Sequence, residues 1–132
     1  MKLLDLKLRM MLLWIWIPVA MTAGVFSVVF RPGGLEEIVS NMQTMGIWAS
    51  VSGVLVFLGP LVMAFLSLTL KDRANCITNR VLSIIYAALM LFQLVNIFIS
   101  EPTILGIMHE GSTVVAAAYL IFYSWKWPVK EA

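Results

Sequence analysis

Residues 47–70, IWASVSGVLVFLGPLVMAFLSLTL, decide the fold, because this run contains no Asp, Glu, Lys or Arg. A helix rises about 1.5 Å per residue, so the run is long enough to cross a bilayer. Its apolar residues do not alternate with polar ones, which argues against a strand of a transmembrane barrel. A helix is the remaining choice, because hydrocarbon offers no partner to free backbone groups.

Three further apolar segments have the same character, at about residues 8–30, 81–100 and 104–127. Together the four segments predict an all-α polytopic membrane protein, an up-and-down four-helix transmembrane bundle that forms one domain over residues 1–132. The composition agrees, since 61% of the residues are apolar and only 12% are charged, about half the usual charged share. A disordered chain and an ordinary soluble enzyme are thereby excluded.

The basic residues predict the orientation of the bundle, because Lys and Arg favour cytoplasmic loops. On one side lie Lys2, Lys7 and Arg9, then Lys71, Arg73 and Arg80, then Lys126 and Lys130, whereas Arg31 is alone on the other. Both termini and the loop at 71–80 are therefore predicted to be cytoplasmic. Cys76 is expected to be an ordinary thiol of that loop. The net charge of +2 is too small to indicate a nucleic-acid partner.

The first outer loop contains a helical pattern of its own. After the Pro32-Gly33-Gly34 break, apolar residues recur at helical spacing, namely Leu35, Ile38, Val39, Met42 and Met45. This periodicity predicts a short amphipathic helix on the outer surface or over the bundle. The alternative is an ordinary re-entry turn. Tryptophans at 14, 16, 125 and 127 are predicted to anchor the cytoplasmic interface, and Trp48 the outer one.

The third span carries a polar stripe, whose members share one helical face: Ser83, Tyr86, Gln93, Asn96 and Ser100. Polar side chains are costly in lipid, so this face should point into the bundle or toward another chain. His109 and Glu110 begin the fourth span at a similar level. Pro18 and Pro60 are predicted to kink their spans at a shared depth, with most of the polar residues beyond them on the outer side.

Two interpretations of this polarity remain open. One is an outward-facing pocket formed by Gln93, Asn96, Glu110, His109 and Tyr86, able to bind a small polar molecule, a lipid headgroup or a cation. A buried carboxylate in such a site can also relay protons. The other interpretation is interhelical hydrogen bonding, at about 0.6 kcal/mol per contact. The pairs Ala20/Gly24 and Ala49/Gly53 also favour close helix packing, within the chain or with a partner.

Catalysis is not expected from this sequence. One histidine and one cysteine cannot form a bis-histidine haem site or a cysteine metal cage, and no phosphate loop or catalytic Ser/His/Asp set is present. We therefore expect neither a metal nor a cofactor. The leading interpretation is a structural or partner-interacting protein of the lipid bilayer, as a homo-oligomer or with a membrane partner subunit. The alternative is a binding or transport component for a small molecule, lipid or cation.

Three stretches carry a resemblance to a known group: RPGGLEEIVS (31–40), LSLTLKDRANCITNR (66–80) and HEGSTVVAAAYLIFYSWKWP (109–128). With their spacing, they resemble a function-unknown family of small four-helix membrane proteins of bacteria and archaea, broadly similar to the DoxX-like group. The resemblance implies a four-helix fold in the bacterial or archaeal plasma membrane, the inner membrane where there are two. It also implies a glutamate at the start of the fourth span, here Glu110. It implies no particular activity.

Overall fold

The computed structural model describes residues 2–100 and 102–128, and this part of the chain contains helices and no strands. The elements are α1 (Leu3–Val29), α2 (Gly34–Thr44), α3 (Ile47–Thr69), α4 (Asp72–Ser100) and α5 (Ile104–Trp125). Four of them, α1, α3, α4 and α5, are long and apolar enough to cross a membrane. The all-α class and the four membrane-length helices are thus confirmed. Lys130, which entered the charge argument, lies outside the described residues.

Two helices are longer at their N-termini than the predicted spans. α1 begins at Leu3 rather than near residue 8, and α4 begins at Asp72 rather than near residue 81. The first turns of α4 bury Asn75, Cys76 and Asn79 inside the bundle. Hydropathy places these residues outside the apolar span. The helix nevertheless includes them, because their polar atoms find partners within the protein.

α1 packs between α3 and α5, and α4 packs mainly on α5. α1 and α5 run in opposite directions: Arg9 contacts Tyr123 at one end, and Gly24 lies against His109 at the other. We call the end with Trp14, Ser67, Asn79 and Ser124 the network end. The end with Gly24, Phe57, Gln93 and Glu110 is the cleft end.

The core lies almost entirely at the network end. Its large buried side chains include Leu6, Met10, Trp14, Met90 and Leu120. In contrast, none of the described residues in 21–29, 47–59, 91–100 and 104–112 is buried. α3 and α4 touch over only a short part of their length. The bundle is therefore closed at one end and open between α3 and α4 at the other.

α2 occupies the loop in which the sequence predicts a short helix, and this helix is confirmed. Gly33 precedes it with a φ of 74°, a left-handed conformation that favours glycine. Gly34 is buried where α2 begins, and a Cβ there would overlap the Val28 carbonyl oxygen of α1. The apolar side chains Leu35, Val39 and Met42 are exposed, as expected of a helix that meets another surface.

The tryptophan belt was predicted wrongly at two of its positions. Trp14 is fully buried, and Trp127 is 3% exposed. Trp14 packs edge-on against Tyr86, with ring centroids 5.4 Å apart. Trp16, Trp48 and Trp125 are exposed and remain candidates for an interfacial position. Large aromatic rings fill a core as well as they fit an interface, so their positions in the sequence do not separate the two roles.

The prediction of a plain loop thiol at Cys76 was also wrong. Its side chain is 1% exposed, and its sulfur lies 3.9 Å from the Ser124 carbonyl oxygen of α5. The reason is that α4 begins before this residue and turns it into the bundle. The native thiol is therefore buried on the inside of the fold and is a poor reporter of which side of a membrane it faces.

Candidate functional site

A cleft of about 460 Å³ opens at the cleft end, where α1, α3, α4 and α5 diverge. Its lining is Met21, Gly24, Val25, Val28, Phe57, Gln93, Asn96, Ile97 and Glu110. Three of the five residues predicted from the sequence, Gln93, Asn96 and Glu110, therefore line one space. We call this space the polar cleft. It lies beyond Pro18 in α1 and before Pro60 in α3, on the side of the prolines that the sequence indicates.

Tyr86, the fourth predicted residue, lies in the core rather than in the polar cleft. Its hydroxyl donates a hydrogen bond to the Leu55 carbonyl oxygen of α3 at 2.9 Å. This contact lies just before Pro60, where α3 lacks a backbone donor. Tyr86 is 8% exposed. It joins α4 to α3 where these helices begin to separate. Tyr86 therefore marks the boundary between the closed and the open part of the bundle.

His109, the fifth predicted residue, is half-buried on α5 and packs against the backbone of α1 at Gly24. A Cβ on Gly24 would lie 3.8 Å from the His109 Cβ, an ordinary contact distance. The neighbouring Glu110 instead faces the polar cleft. Adjacent residues on a helix project about 100° apart, which explains why one contacts α1 and the other the cleft.

The polar groups of the cleft keep hydrogen-bonding capacity to spare. The Glu110 carboxylate accepts a hydrogen bond from the Thr113 hydroxyl at 3.4 Å within its own helix. Across residues 2–100 and 102–128, no side chain forms a hydrogen bond with the amide of Gln93 or Asn96. Gln93, Asn96 and Glu110 are therefore not paired with one another. They present one carboxylate and two amides to the same space.

The remaining walls of the polar cleft are apolar. Met21, Val25 and Val28 form the α1 side, Phe57 comes from α3 and Ile97 from α4. No lysine or arginine lines the space. A bound ligand would therefore contact apolar side chains over most of its surface, and hydrogen-bonding groups on the side formed by α4 and α5. Pockets for small molecules commonly have this composition, with a few polar groups that fix orientation.

A second polar cluster, which the sequence interpretation missed, lies at the network end. The Trp14 indole N–H donates to Asn79 Oδ1 at 2.7 Å, and Asn79 Nδ2 donates to Asn75 Oδ1 at 2.6 Å. Asn75 Nδ2 in turn donates to the Ser67 carbonyl oxygen at 2.7 Å. Trp14, Ser67, Asn75 and Asn79 are fully buried. This asparagine network connects α1, α3 and α4.

The asparagine network is closed and has a structural role; it does not form an open binding site. The Ser67 hydroxyl lies 2.8 Å from the Met63 carbonyl oxygen and 3.3 Å from Asn79 Oδ1. Polar groups satisfied in this way hold helices together without leaving room for a guest. One signal was available in the sequence: Asn75, Asn79 and Ser83 continue the stripe of Tyr86 backward at four-residue spacing.

Metal binding finds no support in the described part of the chain. No group of three or more His, Cys, Asp and Glu side chains there is arranged to hold a metal ion. The polar cleft offers one carboxylate and two amides, which is a hydrogen-bonding set. These groups can exchange hydrogen bonds with a bound molecule, and the carboxylate can balance a positive charge.

Comparison with known proteins identifies no relative: no family model, no curated protein and no solved structure matches the chain. The resemblance to the DoxX-like group therefore stays a prediction, as does the bacterial or archaeal plasma membrane that it implies. The function has to be argued from the residues and from their arrangement.

Proposed function

We propose that this protein is a multi-pass membrane protein that binds a small amphiphilic molecule in the polar cleft. The observation that carries the proposal is that Gln93, Asn96 and Glu110 meet in one space without pairing with one another. Had these groups been present only to join helices, they would be expected to satisfy each other. The protein is then a binding or transport component without catalytic chemistry, cofactor or metal.

The chemistry of the lining supports an amphiphile over a purely polar ligand. The walls from α1 and α3 are apolar, and burying apolar surface stabilises a complex by about 25 cal/mol per Å². The polar side offers a carboxylate that accepts hydrogen bonds, and no basic residue lines the space. The ligand that fits this lining best has an apolar body and a head group that donates hydrogen bonds or carries positive charge.

The binding proposal is tested with a dansyl-labelled alkylamine, a fluorescent amphiphile with a cationic head. In mild detergent the wild-type protein should bind it with a rise in fluorescence, and Glu110→Gln or Asn96→Leu should weaken binding about tenfold, the equivalent of roughly 1.4 kcal/mol. Both variants should keep the wild-type yield of folded protein. Glu36→Gln, which changes an exposed acid of α2, is the matched control and should bind as wild type. Equal binding by all four proteins would contradict the proposal.

The proposed orientation has both termini and the network end on the cytoplasmic side of an up-and-down transmembrane bundle. Its support is that Lys7, Arg9, Arg73, Arg80 and Lys126 cluster at the network end, whereas Arg31 lies at the other. Because Lys and Arg are retained on the cytoplasmic side, the polar cleft then opens on the outer side. The exposed apolar side chains of α2 would lie on the outer membrane surface.

Orientation is tested by thiol labelling at Ala74, which is exposed, in a Cys76→Ala background. Ala74→Cys should resist an impermeant maleimide in intact cells and react after permeabilisation. Thr44→Cys, exposed at the end of α2, should react in intact cells. Wild-type Cys76 should stay slow in both conditions and react only after unfolding in SDS, because its side chain is buried. The reverse pattern at positions 74 and 44 would overturn the orientation.

Self-assembly or binding of a membrane partner subunit is a second candidate function. It is favoured by the part of α3 at the cleft end, where Trp48, Val51, Val54, Leu55 and Leu58 are all exposed. Ala49 and Gly53 lie on the same stretch, and a Cβ on Gly53 would meet nothing within 4 Å. Small residues permit close approach of a second helix. The oligomeric state in mild detergent tests this candidate.

A further inference from the structure

A second groove lies on the outside of the bundle between α1 and α5, separate from the polar cleft. It consists of two adjoining depressions of about 390 Å³ and 440 Å³. They lie side by side, with Leu13 and Tyr119 lining both, and we call the two together the α1/α5 groove. Arg9 and Tyr123 line the part toward the network end, and Trp16, Gly111 and Val115 line the rest.

The end of the groove nearest the network end is cationic and aromatic. The Arg9 guanidinium donates a hydrogen bond to the Tyr123 hydroxyl at 3.2 Å and lies 5.8 Å from the centre of that ring. No carboxylate in 2–100 or 102–128 is within ion-pair distance of Arg9. A guanidinium has five N–H donors, so most of its donors remain available to an anionic oxygen.

The rest of the groove is apolar and runs along the helices. Leu13, Val115 and Ala116 supply apolar surface, and the Trp16 indole N–H donates a hydrogen bond to the Ser112 hydroxyl at 3.3 Å. From Arg9 to Trp16 the groove follows α1 for roughly 10 Å, at about 1.5 Å per residue. A segment of an extended hydrocarbon chain fits this length. Gly111 leaves the α1/α5 groove open at the end away from Arg9, since a Cβ there would meet nothing within 4 Å.

We infer that the α1/α5 groove binds an anionic phospholipid, with its phosphate at Arg9 and one acyl chain along Leu13 and Val115. The charge favours this occupant, because the Arg9 guanidinium has no carboxylate of the described residues within ion-pair distance. Basic sites between membrane helices attract anionic headgroups in this way. The site is independent of the polar cleft, and its binding does not require a cleft ligand.

The charge part of this inference is tested by native mass spectrometry with added phosphatidylglycerol or phosphatidylcholine. Wild type should retain one phosphatidylglycerol per chain, about tenfold more tightly than phosphatidylcholine. Arg9→Gln should abolish this preference, and Arg9→Lys should keep part of it. Arg73→Gln, which removes an exposed cation outside the groove, is the matched control. If Arg73→Gln lowers binding as much as Arg9→Gln, diffuse charge explains the preference and the site is refuted.

The groove itself is tested with Gly111→Leu, which leaves every charge in place. The added side chain enters open space, so the variant should fold, and it should occupy the path of the acyl chain. We expect it to weaken phosphatidylglycerol binding several-fold while Arg9 is intact. Unchanged binding in Gly111→Leu would overturn the assignment of the acyl chain to this groove. The dansyl-alkylamine should bind Gly111→Leu as it binds wild type, which separates this site from the polar cleft.

Discussion

Asn79→Leu is expected to lower the free energy of unfolding by roughly 2–4 kcal/mol. The side chain of Asn79 accepts from the Trp14 indole at 2.7 Å and donates to Asn75 Oδ1 at 2.6 Å. All three residues are fully buried, so leucine would leave an indole N–H and an amide oxygen without partners. The measurement is reversible unfolding in mixed detergent and SDS micelles.

Asn96→Leu provides the matched control for this substitution on the same helix. Asn96 is exposed and its side chain has no partner in the described residues, so its replacement should change stability by less than about 0.5 kcal/mol. Trp14→Phe should cost less in the Asn79→Leu background than in wild type, because the two changes remove one shared hydrogen bond. Equal losses for Asn79→Leu and Asn96→Leu would show that the asparagine network does not hold the fold.

Gly59→Ala is expected to destabilise the protein by about 2 kcal/mol or more through overpacking. A Cβ at this position would overlap the Tyr86 hydroxyl oxygen and would lie 3.1 Å from the adjacent ring carbon. Tyr86 has little freedom to retreat, since its ring packs on Trp14 and its hydroxyl is bonded to the Leu55 carbonyl. The substitution should separate α3 from α4 next to the Pro60 kink. The same unfolding assay measures it.

Two comparisons isolate this contact. Gly53→Ala lies on the same helix, where a Cβ meets nothing within 4 Å, and it should be neutral or slightly stabilising because alanine favours helix. Tyr86→Phe removes the hydroxyl and should recover part of the loss in the Gly59→Ala background. If the double variant is as unstable as the sum of the two single variants, the clash with Tyr86 is not the cause.

The number and kind of the long helices could be predicted, because hydrocarbon leaves only one way to satisfy the backbone of an apolar run. The short helix α2 could also be predicted, from the spacing of its apolar residues between Gly34 and Thr44. Both features depend on local sequence alone. The start of α4 could not be read from hydropathy. Lys71, Asp72 and Arg73 end the apolar run of α3, and α4 begins at Asp72 and passes through buried asparagines before the next apolar run.

The candidate site could be predicted in part for a related reason. The residues of the stripe from Ser83 to Ser100 share one helical face, as their spacing indicates, but only its first part points into the bundle. What changes along it is the packing: Ser83 and Tyr86 are buried, Gln93 is half-buried and Asn96 is exposed. That change in burial depends on the distance between α3 and α4. The local sequence pattern of either helix does not determine this distance. Thus Tyr86 lies in the core, although it shares a face with the cleft residues.

The central claim of this account is that the bundle, closed at its network end, binds an amphiphile in the polar cleft at its open end. Native mass spectrometry of wild type and of an Asn96→Leu/Glu110→Gln double variant, with added dansyl-alkylamine, tests it most directly. We predict one amphiphile per wild-type chain and none on the double variant at the same concentration. The same spectra report the oligomeric state. Equal occupancy of both proteins, or an unoccupied wild type, would contradict the claim that the polar cleft binds a ligand.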